Sequence, residues 1–143
     1  MASMDHAAPT RRRSLQQERD GVLTLLRLEG FALALVALAF YARAGGTATQ
    51  FATLFLAPDA SMLFYVFGAR IGATAYNAVH STLSPLALAA LGVFASQTAF
   101  VLIALIWLAH IGLDRALGYG LKRATGFSDT HLGRIGKARK AHG

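Results

Sequence analysis

Four apolar stretches, at about residues 22–41, 51–69, 71–95 and 99–119, constrain what this chain can fold into. Each is close to the ~20 residues a helix needs to cross a hydrocarbon core ~30 Å thick. None alternates with the period of a half-buried strand, and none has the polar face that a soluble bundle turns to water. Backbone polar groups inside lipid must pair within their own segment, which favours helices. The pattern therefore predicts an all-α fold, a four-helix transmembrane bundle with two spans broken by proline, at Pro58 and Pro85. A chain of 143 residues, 55% hydrophobic, holds one such domain.

Three regions are expected: a basic tail over 1–20, the membrane domain over 21–120 and a second basic tail over 121–143. Asp20 is placed to cap the first span, with Pro9 marking a loose tail before it. The Gly- and Thr-rich stretch 44–50 and the triplet Ser96-Gln97-Thr98 read as turns. Gly118 and Gly120 loosen the end of the last span, and Lys122 and Arg123 follow.

The formal charge of +7 lies mostly at the two ends. Arg11, Arg12, Arg13 and Arg19 precede the first span, and Lys122, Arg123, Arg134, Lys137, Arg139 and Lys140 follow the last. Arg70 would share their side, and Arg43 alone would face the other. The positive-inside rule then puts both termini in the cytoplasm of a multi-pass bacterial inner-membrane protein. Membrane lipids are the partners such charge implies, and nucleic acid is not. The sequence identifies no oligomer or protein partner. Thr10 to Leu15, with Ala42-Arg43-Ala44 downstream, is similar to a twin-arginine signal, but Glu18, Asp20 and Glu29 interrupt it, so no cleavage is expected. Without cysteine, disulfides, thiolate catalysis and Cys-based metal sites are excluded.

Inside or at the mouths of the spans stand Arg27, Glu29, Asp59, His80, His110, Asp114 and Arg115. A charge at the bilayer centre costs roughly 2.5–3.5 kcal/mol on insertion scales, so each is a candidate functional residue. At 1.5 Å per residue, Glu29, Asp59, His80, His110 and Asp114 all fall roughly 7–15 Å from one membrane face. Tyr76, Asn77 and His80 share a helical face, as do His110 and Asp114, with Trp107 extending the stripe. Singly, each has a structural explanation: packing histidines, a boundary ion pair at Asp114-Arg115, a helix cap at Asp59.

Three readings of the cluster stand. In the first, Asp59, His80, His110 and Asp114 hold a divalent Zn, Fe or Mn ion, and Glu29 serves as the catalytic general base or as a further ligand. Tyr76, Asn77 and Trp107 then orient the ligands, and Arg27 and Arg115 bind an anionic group such as a lipid phosphate. Asp129 and His131 fold back as a cap. In the second, the polar residues form a structural network in a non-catalytic scaffold or partner subunit. In the third they belong to a proton or ion path, against which the apolar runs 86–95 and 99–106 weigh.

Several strings carry a resemblance: Arg27-Leu-Glu-Gly30, Pro58-Asp-Ala-Ser-Met62, Tyr76-Asn-Ala-Val-His80, the run from His110 to Lys122, and Asp129-Thr-His-Leu-Gly133. Over about residues 22–136 the chain resembles domain-of-unknown-function family 4260 of small bacterial integral membrane proteins. That resemblance implies a membrane setting and carries no activity. Pro58-Asp59, His80-Ser81 and His110-x-x-x-Asp114 are also similar to membrane-bound metal-dependent hydrolases. The second aspartate after Pro-Asp and the arginine before His-Ser in that family are absent; Ser61-Met62 and Ala78-Val79 stand there. This likeness implies a metal-dependent hydrolase acting on a lipid or amphiphile.

Overall fold

The computed structural model describes residues 7–124, 126–130 and 133–134. Helix α1 runs over Ala7–Arg43, 37 residues, far longer than a single span needs. The expected loose tail is thus helical from Ala7 on. Pro9 lies in the first turn, where a missing N–H breaks no hydrogen bond. At the far end the Tyr41 hydroxyl donates to Thr47 O at 2.8 Å, and the Thr47 side chain accepts from Gln50 N, capping α2 (Ala48–Leu54).

Pro58 prevents α2 from continuing, since it cannot donate to the helical ladder. The chain proceeds as an 11-residue 3-10 helix, Ala57–Phe67, and residues 48–67 together have the length and apolarity of a span. Gly68, at φ 109, makes the turn into α3 (Ala69–His80). α3 and α4 (Leu83–Phe94) are the halves of one broken span, bent by 41°. Pro85 lacks the N–H that would continue the ladder across the break. Two side chains satisfy carbonyls left there: Ser84 Oγ donates to Ala78 O at 2.5 Å, and Trp107 Nε1 to Val79 O at 2.7 Å.

Helix α5 (Thr98–Leu117) is the centre of the bundle, with α1 packed on one side and α4 on another, while α3 packs on the 3-10 helix. It ends at Gly118, left-handed at φ 90; Gly118 N donates to Arg115 O and Tyr119 N to Asp114 O. That is the Schellman pattern. Ala37, Leu108 and Ala109 form a small core with Leu33, Phe51, Phe55 and Leu105 around it. Elsewhere large apolar side chains point outward: Phe94 is 89% exposed and Val66 83%. A soluble monomer rarely leaves such surface bare, and lipid covers it in a membrane protein. The four-span helical bundle with two proline breaks is therefore the observed architecture.

After α5 comes an addition that the sequence did not announce. Over the region expected as a basic tail, β1 (Lys122–Arg123), β2 (Gly126–Thr130) and β3 (Gly133–Arg134) form an antiparallel sheet in the order β1-β2-β3. The Asn77 side chain pairs with β1 as a strand would: Nδ2 donates to Lys122 O at 2.8 Å, and Lys122 N donates to Oδ1 at 2.7 Å.

Candidate metal centre

α3 and α5 run antiparallel where they meet, so Tyr76 lies opposite Asp114 and His80 opposite His110, one turn deeper. Pro58 turns the second span inward and brings Asp59 to the same point. Both imidazoles are buried, their side chains 3% and 4% exposed, while Asp59 is 34% and Asp114 20% exposed.

Four donor atoms converge. His80 Nε2 and His110 Nε2 are 3.3 Å apart. Each lies 3.5 Å from Asp59 Oδ1 and 3.7 Å from Asp114 Oδ2. All four donors fall within 4.8 Å of one another. A tetrahedral shell with ligand bonds of ~2.0–2.1 Å has edges of about 3.3–3.4 Å. Five of the six edges here span 3.3–3.7 Å, close to that figure. Direct N–H···O bonds would be shorter, ~2.7–3.2 Å.

The tautomer of His80 fits the same purpose. Its Nδ1 is 3.0 Å from Tyr76 O, and a carbonyl only accepts, so Nδ1 carries the proton. A neutral His80 therefore presents a bare Nε2 lone pair to the cluster, the form a metal binds. The two carboxylates match the charge of one divalent cation. The donor set, all nitrogen and oxygen, is one that could hold a metal ion.

Surrounding contacts hold these groups in place. The Tyr76 hydroxyl donates to Asp114 Oδ2 at 3.3 Å, and its ring stacks on His80 with centroids 3.7 Å apart. Phe55 packs edge-on against His110 at 5.3 Å. Trp107 grips Val79 O and so fixes the backbone that carries His80, instead of touching a ligand. Asn77 likewise binds the Lys122 backbone rather than a ligand. Lys122 Nζ sits 5.1 Å over the Tyr76 ring. Burial pulls its ammonium below the ordinary lysine range, and the Asp114 carboxylate partly opposes this.

The other expected residues stand apart. Glu29 is exposed on α1, outside the group of four. Arg27 Nη2 donates to Leu117 O at 3.2 Å and lies against Gly118, so it caps α5. Arg115 borders the site, lining one pocket with Tyr76, His80, Asp114 and Tyr119. Asp129 lies in β2, and His131 is outside the described residues. Sequence reasoning missed Phe55 and Lys122. The only signal for either was position, three residues before Pro58 and at the end of the run from His110.

The family model described as a domain of unknown function (DUF4260) matches residues 23–135. No curated protein and no solved structure matches the chain.

Proposed function

This chain belongs to the DUF4260 family, whose description assigns no function, and we propose that it is a membrane-embedded metalloprotein hydrolysing a lipid or other amphiphile. The observation that carries this reading is the set of 3.3–3.7 Å separations among the nitrogens of His80 and His110 and the oxygens of Asp59 and Asp114. These four side chains hold the ion. A divalent ion so bound supplies Lewis acidity and lowers the pKa of a bound water toward about 7. Asp59 is the ligand most open to solvent, so its second oxygen is the group we assign to take a proton from an arriving water. That role was expected of Glu29, which is exposed on α1 apart from the four. Tyr76 steadies Asp114 through its hydroxyl and His80 through its ring.

One observation favours a second reading, a structural cross-link: four protein ligands already complete a tetrahedral shell, as in structural sites.

Elemental analysis of protein purified in detergent without chelator tests the metal. The expected result is near-stoichiometric Zn, Fe or Mn, lost in His110→Ala while the variant still inserts, because insertion depends on apolar length. Wild type that stays metal-free when supplied with these ions overturns the reading. Metal-loaded protein that cleaves no ester amphiphile while losing thermal stability on metal removal selects the cross-link.

A further inference from the structure

Arg115 follows the ligand Asp114 directly, and its side chain lines the pocket that reaches His80. The start of that side chain is pinned: a Cβ built on Gly30 of α1 would stand 2.6 Å from Arg115 Cβ. Its guanidinium is a different matter. Among the described residues it makes no ion pair and no hydrogen bond. The carboxylates nearest in the site face the imidazoles, and Asp114 also accepts from Tyr76. Arg27, by contrast, is committed to the end of α5. Among the described residues, Arg115 thus keeps an uncommitted planar fork of N–H donors at the mouth of the site.

We propose that Arg115 binds the phosphoryl group of a phosphate ester, directing one of its oxygens toward the four metal-binding side chains. This rests on the metal reading and names the substrate class for it. Charge favours an anion: a divalent ion balances the carboxylates of Asp59 and Asp114, which leaves the positive charge of Arg115 over, with Lys122 near it. Position favours phosphate: α5 has the 20 residues that a hydrocarbon core requires, and Arg115 stands two residues before its end at Leu117, where a span of that length would meet headgroups. The guanidinium fork matches two phosphate oxygens and leaves others for the ion. Hydrolysis at this position consumes one water. Its oxygen bonds to phosphorus, the ester P–O bond breaks, and the leaving oxygen takes the proton, giving an alcohol and a phosphate.

Calorimetric titration of zinc-supplied protein in detergent tests the assignment, with short-chain phosphatidic acid and inorganic phosphate as the two probes and zinc content measured in every preparation. Arg115→Gln keeps the side-chain stem that packs on Gly30, and is expected to weaken binding roughly 10- to 100-fold at unchanged zinc content. Arg43→Gln, at the far end of α1, is expected to bind as wild type. Phosphatidic acid binding at least tenfold tighter than inorganic phosphate assigns the subsite to a lipid headgroup, and equal binding assigns it to a water-soluble phosphate ester; both support the proposal. Equal affinities of wild type and Arg115→Gln, or no binding of either probe to wild type, overturn it. Wild type that takes up no zinc counts against the metal reading instead, and the same comparison on that protein still decides Arg115.

Discussion

Gly112 of α5 meets Gly30 of α1 backbone to backbone: a Cβ on Gly112 would stand 2.7 Å from Gly30 O and 2.6 Å from Ala34 N. A Cβ on Gly30 would stand 2.9 Å from Gly112 O and from Ala116 N. Gly30 and Ala34 on one helix and Gly112 and Ala116 on the other are small residues at a spacing of four, the arrangement by which membrane helices approach closely. Gly112 lies between His110 and Asp114 in sequence and points the opposite way. The crossing therefore sets the rotation and depth of α5, and with them the positions of two of the four donors.

Gly112→Leu is accordingly expected to destabilise the bundle by about 1–3 kcal/mol, the range of overpacked cores, and to reduce metal retention. Gly21→Leu is the control, since nothing lies within 4 Å of a Cβ there and Leu is the better helix former. Thermal unfolding in detergent, followed through Trp107, separates them. A Gly112→Leu melting temperature equal to wild type would show that this contact does not hold α5.

Tyr76→Phe isolates one hydrogen bond. The substitution keeps the ring stacked on His80 and removes the hydroxyl that donates to Asp114. Loss of an outer partner of a ligand typically weakens metal binding 10- to 100-fold. Chelator competition is expected to show a loss of roughly that size, with insertion unchanged. Unaltered metal affinity would remove Tyr76 from any ligand-orienting role.

The contrast between Glu29 and His80 shows how far the sequence was legible. Helical rise converts position into depth, so Asp59, His80, His110 and Asp114 could be assigned to one layer without a structure. Spacings of three and four added which residues share a face on α3 and α5. Rotation of one helix against another is not written in such spacings. Glu29 has the right depth, but Gly30 is the residue turned to α5, which leaves Glu29 exposed. Arg27 was assigned an anion for the same reason, whereas the αL turn at Gly118 brings the last carbonyls of α5 to it. Trp107 was read as an outer partner of a ligand; its target, Val79 O, lacks a helical partner at the break, where Leu83 N donates to Ser81 Oγ instead. The sheet over 122–134 has strands of two, five and two residues, too short for any period to register.

Orientation follows from charge. Asn77 of α3 pairs with Lys122 beyond α5, so the sheet lies on the side where α5 ends. Four crossings return both ends of the chain to one face. Arg11, Arg12, Arg13, Arg19, Arg70, Lys122 and Arg123 would then share that face, with Arg43 opposite. Short-loop Lys and Arg excess marks the cytoplasmic side, so both termini are expected there. A C-terminal β-galactosidase fusion is expected to be active and a C-terminal alkaline phosphatase fusion silent, while phosphatase inserted between α1 and α2, after Arg43, is expected to be active. Phosphatase activity at the C-terminus would mean an odd number of crossings or the reverse orientation. The insertion after Arg43 tells these apart, because only a full reversal also silences it.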